Sequence, residues 1–95
     1  MFTGIIEGLG EVVAIEIDGE NVHFSIKSTF TNELKVDQSL AHNGVCLTIV
    51  NIAGEVYTVT AIKETLDKSS LGGLIVGSQV NLERAMLANG RFDGH

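Results

Sequence analysis

Apolar and polar residues alternate over short stretches of this chain, which is typical of β-strands with one buried face. Residues 22–27 show the pattern most clearly, and their alternation predicts three core-facing side chains: Val22, Phe24 and Ile26. Residues 12–17 form an apolar-rich run just before them. Between the two runs, Asp18-Gly19 favours a tight turn because both residues tolerate positive φ. The pattern therefore predicts a β-hairpin near the start of the chain.

Four further stretches between turn residues predict strands: 39–41, 45–52, 56–62 and 79–84. Residues 45–52 carry apolar side chains on both faces, as expected where one face lines a core and the other lines a ligand site or a partner. We read His42-Asn43-Gly44 as a turn. Two stretches lack alternation: 28–34, predicted as one helical turn or an irregular loop, and 63–70, predicted as a short helix.

Six short strands with short connections predict an all-β fold. The chain has eleven Gly and no Pro, which fits many turns and no long helix. Exposed strand edges invite aggregation, and closing the sheet removes them. We therefore expect a small six-stranded β-barrel, closed or nearly closed, with one or two short helical turns.

Composition narrows the class of protein. A chain of 95 residues suits one domain, and its net charge of −6 disfavours binding to a phosphate backbone. One cysteine cannot form an intramolecular disulfide, which fits a reducing, cytoplasmic setting. The sequence has neither an apolar run of about 18 residues nor a basic signal-peptide start, so we expect no membrane span and no export signal.

Residue chemistry alone leaves the function open. Cys46 and His42 are four positions apart, but strand geometry does not place them on one face as a helix would. A thiolate nucleophile needs a nearby base and a metal needs three or four ligands, so we predict no metal site and read Cys46 as a small buried apolar residue. His23 is read as a solvated strand histidine. Lys63-Glu64 fits the start of a helix, a pocket rim or a surface turn.

The glycines of the N-terminal region also have two interpretations. Thr3-Gly4-Ile5-Ile6-Glu7-Gly8-Leu9-Gly10 superficially resembles a phosphate-binding loop. No Lys-Ser or Lys-Thr pair follows it, and no helix opens after it, so phosphate binding is disfavoured. Glycine within a strand instead indicates a bulge or a close approach of a ligand or another backbone.

Three stretches together resemble one family. They are Met1-Phe2-Thr3-Gly4-Ile5-Ile6-Glu7, Ser39-Leu40-Ala41-His42-Asn43-Gly44-Val45-Cys46-Leu47-Thr48, and Lys63-Glu64-Thr65-Leu66 followed by Val80-Asn81-Leu82-Glu83-Arg84-Ala85. In order and spacing, over nearly the whole chain, they are similar to the riboflavin synthase family, and in particular to its first lumazine-binding repeat. Any one stretch alone would be a weak signal.

The resemblance implies a Greek-key barrel, two of which occur in tandem in the family. It also implies a reaction in which one 6,7-dimethyl-8-ribityllumazine donates a four-carbon unit to a second, giving riboflavin and 5-amino-6-ribitylaminouracil without a metal or organic cofactor. Each of two facing barrels holds one ligand, so a single barrel supplies half of a site.

The resemblance also implies roles for individual residues. Ligand contacts are expected from three segments: Gly4, Ile5 and Ile6; Cys46, Leu47 and Thr48; and Thr60, Ala61, Ile62, Lys63, Glu64 and Thr65. Relatives often carry Asp where Thr60 stands. Catalytic roles are expected for four residues: Phe2, Thr3, Ser39 and Cys46.

Two expectations concern organisation. Residues 1–86 should form the lumazine- or riboflavin-binding barrel, and residues 87–95 should begin a linker to a missing second barrel. A barrel without its partner exposes an apolar surface, so we expect a homodimer. A non-catalytic flavin- or lumazine-binding module is the alternative function. An oligonucleotide-binding barrel conflicts with the negative charge and with only five aromatic residues.

Overall fold

The computed structural model describes residues 8–84. Its six strands are β1 (Gly8–Asp18), β2 (Asn21–Ser28), β3 (Ser39–His42), β4 (Val45–Ala53), β5 (Val56–Ala61) and β6 (Gln79–Arg84). The helical segments are α1 (Lys63–Lys68) and two 3-10 turns, Thr31–Glu33 and Ser70–Gly73. The predicted strands are therefore confirmed, and the described residues contain one short helical segment more than the two expected. None of their helices is long and apolar enough to cross a membrane.

The strands form a closed antiparallel barrel in the order β1-β2-β5-β4-β3-β6. Hairpins join β3 to β4 and β4 to β5, and β6 returns after α1 to pair with β3. Three hairpin-linked strands with a fourth returning beside the first define a Greek key. The predicted Greek-key barrel is confirmed.

Turn residues set the ends of the strands. Asn43 and Gly44 have φ values of 51° and 86°, and His42 pairs with Val45 across them. This two-residue loop matches the backbone twist of a hairpin and requires positive φ at both positions. His42 therefore ends β3 instead of belonging to the turn, and its side chain points into the barrel, where it is 1% exposed.

Alternating side chains fill the barrel. Phe24 and Ile26 are buried as predicted, while Val22 is only partly buried. Gly10 on β1 lies so close to this core that a Cβ atom there would stand 2.6 Å from Ile26 Cγ2 and 2.9 Å from Leu82 Cδ1. The close neighbours of this glycine are therefore core side chains, not the ligand or backbone that we expected, and any side chain here would displace the packed core.

A polar pair lies inside this apolar core. His42 Nδ1 is 2.9 Å from the Leu40 carbonyl oxygen, and His42 Nε2 is 2.8 Å from the Tyr57 hydroxyl. A carbonyl only accepts, so Nδ1 carries the proton and Nε2 accepts the hydrogen of Tyr57. Burial lowers the pKa of His42 to about 4 and raises the pKa of Tyr57. Both groups are therefore neutral and hydrogen-bonded in the core.

Candidate functional site

The pairing of β4 with β5 ends before either strand does. These strands pair from Ala53–Val56 to Ile49–Val59, with a register shift between Ile49 and Asn51. Further along β4, Thr48 pairs with Ser39 of β3, whereas Thr60 of β5 pairs with His23 of β2. No β4–β5 pair follows Ile49–Val59 among residues 8–84. We call the region beyond this last pair, between residues 46–48 and residues 60–62, the β4–β5 split.

The β4 side of the split presents a thiol and a hydroxyl. Alternation along β4 buries Leu47 and Ile49 and turns Cys46 and Thr48 outward, where both are exposed. Cys46 is a free thiol. The interpretation of Cys46 as a small buried residue is therefore wrong, because the inward positions of β4 belong to its neighbours. Leu47 can meet a ligand only through its backbone, since its side chain belongs to the core.

Ser39 extends this outer face on β3. It pairs directly with Thr48, and directly paired residues present their side chains on the same face of a sheet. Ser39 is half-buried, so its hydroxyl is only partly open to solvent. Ser39, a predicted catalytic residue, therefore lies beside Thr48, a predicted ligand contact. His42 is buried on the inner face and does not join Cys46, as expected from their positions on strands.

The β5 side of the split ends where the chain turns into α1. Thr60 is half-buried on the outer face, Ala61 is fully buried in the core, and Ile62 is 52% exposed. The Leu66 amide donates to the Ile62 carbonyl at 3.0 Å, which closes the first helical turn. Ala61, like Leu47, therefore offers a ligand its backbone, whereas Ile62 offers an apolar side chain.

Side chains at the start of α1 form ion pairs with residues four positions further along the helix. Lys63 Nζ lies 2.9 Å from an Asp67 carboxylate oxygen, and Lys68 Nζ lies 3.0 Å from Glu64. Lys63 and Glu64 thus belong to a helix rather than to a surface turn. Thr65 is half-buried, and its carbonyl accepts a hydrogen bond from the Ser69 hydroxyl at 2.6 Å. The first N–H groups of a helix have no acceptor within the helix. The start of α1 therefore has backbone N–H groups that can donate to a ligand.

His23 is a site residue that the sequence did not reveal. Its Nδ1 is 2.7 Å from Thr60 Oγ1, and its Nε2 is 3.3 Å from an Asp18 carboxylate oxygen. The His23 side chain is 26% exposed, so it is not the fully solvated histidine that we expected. Thr60 lies 37 positions away and meets His23 only through the β2–β5 pairing, so local sequence carries no signal for this contact.

Several predicted residues lie outside the described part of the chain: Phe2, Thr3, Gly4, Ile5 and Ile6. Their roles stay predictions, as does the linker over residues 87–95. Residues 8–84 contain no group of three or more metal-ligating side chains. A second, shallow groove lies on another part of the barrel and is lined by Lys27, Glu55 and Gln79, among others.

Fold and site together define a class: a Greek-key barrel in which β4–β5 pairing ends beside exposed hydroxyl, thiol and apolar side chains. A family model described as the lumazine binding domain matches residues 3–85. This chain belongs to that family.

The chain is similar to curated riboflavin synthases. It is 46% identical to riboflavin synthase from Bacillus amyloliquefaciens over 96 residues and 45% identical to that from Actinobacillus pleuropneumoniae. Each match covers the whole of this chain and 45% of the relative. The chain therefore spans about half the length of these relatives, and the resemblance found in its sequence is confirmed.

Solved structures give the same family. Crystal structures of LumP complexed with riboflavin and with 6,7-dimethyl-8-(1'-D-ribityl) lumazine match with TM-scores of 0.82 and 0.83 at 26% identity. The matches cover 100% and 99% of this chain and 55% of each LumP chain. The barrel is therefore shared with proteins solved with a lumazine and with a flavin.

Proposed function

We propose that this chain is the N-terminal domain of a riboflavin synthase and binds 6,7-dimethyl-8-ribityllumazine or riboflavin at the β4–β5 split. The observation that carries the proposal is the end of β4–β5 pairing at Ile49–Val59. Beyond that point, residues 46–48 and 60–65 border the split, and the resemblance assigns ligand contacts to these same residues. The structures of LumP with riboflavin and with a lumazine support the choice of ligand.

The chemistry of the split suits such a ligand. Lumazines and flavins combine a flat ring with a polar pyrimidinedione edge, on which one N–H lies between two carbonyls. Ile62 offers exposed apolar area to the ring, and the hydroxyls of Thr48 and Thr60 offer hydrogen bonds. Mostly apolar surface with a few directed polar groups is the usual composition of a small-molecule site.

The complete reaction requires a second ligand. We propose that a second lumazine-binding barrel faces this one in the intact protein, so that one lumazine passes a four-carbon unit to the other with no metal or organic cofactor. Correct mutual orientation of two reactants can supply about 7–11 kcal/mol of a barrier. Ser39 and Cys46, with Phe2 and Thr3, act beside the reacting rings. The isolated barrel therefore binds ligand with little or no turnover, and we expect the intact protein to act in the cytoplasm.

A fluorescence titration with riboflavin tests the binding site. Flavin emission should fall as the ring stacks in the split. Thr60→Val should weaken binding, whereas Thr58→Val, on the same face of β5 but beside the continuous ladder, should not. No fluorescence change at tens of micromolar riboflavin would overturn the proposed function, and equal effects of the two substitutions would move the site away from the split.

We also propose that the isolated barrel forms a homodimer. Eight large apolar side chains are exposed among residues 8–84, including Ile17 at 75%, Ile75 at 68% and Val76 at 60%. Burial of exposed apolar area drives association, and a two-fold pair of like barrels would cover it. Sedimentation should give a dimer at micromolar concentration, and a stable monomer would contradict this part of the proposal.

The alternative function is a non-catalytic lumazine- or flavin-binding module, favoured by the structural similarity to LumP. Turnover separates the two functions. The full-length protein that contains this chain should convert lumazine to riboflavin if it is a synthase. Tight ligand binding without conversion would instead establish the binding module.

A further inference from the structure

We propose that His23 is a positioning residue that makes the Thr60 hydroxyl a fixed hydrogen-bond acceptor for the N–H on the pyrimidinedione edge of the ligand. This inference rests on the proposed function, because it takes the ligand edge to lie at Thr60. It adds a residue of β2 to a site otherwise built from β3, β4, β5 and the start of α1.

The hydrogen bonds of His23 determine the direction of each donor. The Asp18 carboxylate only accepts, so the proton of the neutral imidazole lies on Nε2, which donates to Asp18 across 3.3 Å. Nδ1 is then an acceptor. The hydroxyl of Thr60, 2.7 Å away, must donate its single hydrogen to Nδ1. Only lone pairs of Thr60 Oγ1 are left for a ligand.

A fixed acceptor gives discrimination that a free hydroxyl does not. A rotating hydroxyl can donate to either ring carbonyl or accept from the N–H between them, so it holds the ring in no single register. A hydroxyl whose hydrogen is already used accepts only, and the N–H is the only donor on that edge of the ring. The His23–Thr60 pair therefore selects one orientation of the ligand.

Protonation of His23 reverses this arrangement. A charged imidazole donates from both nitrogens, so Nδ1–H would donate to Thr60 Oγ1 and leave the hydroxyl hydrogen free to rotate. Thr60 would then no longer be a fixed acceptor. The charged groups that face His23 come from β1: Glu16, its directly paired residue, and Asp18. From β5 it meets the uncharged hydroxyl of Thr60.

Riboflavin titrations of four variants test the coupling. His23→Leu removes the ring nitrogens and Thr60→Val removes the hydroxyl, and each should weaken binding by roughly threefold to tenfold, the size of one neutral hydrogen bond. The double variant should lose no more than either single variant. Ser25→Ala, which breaks the neighbouring Ser25–Thr58 contact on the same face, is the matched control and should bind like the wild type.

A conservative rescue separates positioning from a purely structural role. In His23→Asn, the side-chain oxygen can stand where Nδ1 stands and accept from Thr60, without titrating. Wild-type binding should weaken as the pH falls from 8 to 5.5, because a protonated His23 would no longer fix Thr60 as an acceptor. His23→Asn should keep the wild-type affinity measured at pH 8 and lose the pH dependence. The same pH dependence in His23→Asn, or wild-type affinity in His23→Leu, would overturn the proposal.

NMR of the free chain tests the premise without a ligand. The ring nitrogens of His23 should show a proton on Nε2 and none on Nδ1 at pH 8. A proton on Nδ1 would overturn this inference even if riboflavin binds as proposed. A wild-type chain with the expected tautomer that fails to bind riboflavin would instead remove the proposed function, and this inference with it.

Discussion

His42 and His23 make similar hydrogen bonds in different surroundings. Each imidazole donates to an oxygen that only accepts, the Leu40 carbonyl for His42 and the Asp18 carboxylate for His23. Each imidazole then accepts from a hydroxyl of β5, Tyr57 for His42 and Thr60 for His23. His42 is sealed inside the barrel at 1% exposure, whereas the side chain of His23 is 26% exposed on its outer face.

The difference between the two pairs shows what burial decides. A buried polar group without a partner incurs the full desolvation penalty, so the inner pair is required for stability. His23 and Thr60, the outer pair, can hydrogen-bond to water instead at small cost in free energy. Their hydrogen-bonding groups are therefore available to a ligand. The same bonding pattern is therefore structural on one face of β5, and we propose that it is functional on the other.

Removing each histidine should give the largest contrast. His42→Ala leaves a cavity and an unpaired Tyr57 hydroxyl, so we expect a loss of about 3–4 kcal/mol in the free energy of unfolding. His23→Ala should cost less than about 1 kcal/mol, as is usual for partly exposed positions. Urea denaturation measures both. Equal losses would show that the buried His42–Tyr57 pair contributes no more to stability than the His23–Thr60 pair.

Lowering the pH should separate the two histidines next. The pKa of His42 falls from its ordinary 6.5 to about 4 on folding, so protons bind the unfolded chain more readily than the native one. The stability from neutral His42 is complete above pH 6.5, and about 3 kcal/mol of it is lost by pH 4.

NMR titration and denaturation measure this effect of pH. The His42 ring should remain neutral at pH 5, and the stability loss should persist in His23→Asn, which keeps His42. A His42 ring that is fully charged at pH 5 would contradict its burial and hydrogen bonding in the barrel.

Removing each hydroxyl should give a smaller contrast. Tyr57→Phe keeps the ring but leaves His42 Nε2 unpaired in the core, which should cost about 1–2 kcal/mol of stability. Thr60→Val should change stability by no more than about 0.5 kcal/mol, because its site is only half-buried. Thermal or urea unfolding of the two variants checks the order, and a larger loss in Thr60→Val would reverse the comparison.

Weakening the carboxylate partner should have the smallest effect on folding. The Asp18 side chain is 71% exposed, and exposed ion pairs contribute little to stability. Asp18→Asn should therefore unfold at nearly the same urea concentration as the wild type. A loss as large as that of Tyr57→Phe would mean that the outer pair is as important for folding as the inner one.

The sequence predicted the strands because local signals specify them. The alternation around Phe24 and the turn at Asn43-Gly44 depend only on neighbouring residues. Among the interpretations that did not survive are a buried Cys46, which is exposed, and a turn at His42, which lies inside the barrel. The hydrophobicity of a short strand that is apolar on both faces does not specify which face turns inward.

The contact between His23 and Thr60 could not be predicted for a different reason. It depends on β2 lying beside β5, a long-range pairing that no local pattern encodes. The resemblance to riboflavin synthases predicted a ligand contact at Thr60 but gave no sign of His23, which hydrogen-bonds to it. The pairing of β2 with β5 therefore adds His23 to the candidate site.

NMR mapping of bound riboflavin tests the central claim most directly. Backbone amide signals of a labelled chain would be followed during titration with riboflavin. Binding at the β4–β5 split predicts the largest shifts at Cys46, Thr48 and residues 60–65. Largest shifts instead at Lys27, Glu55 and Gln79, which line the shallow groove elsewhere on the barrel, would contradict the proposed site.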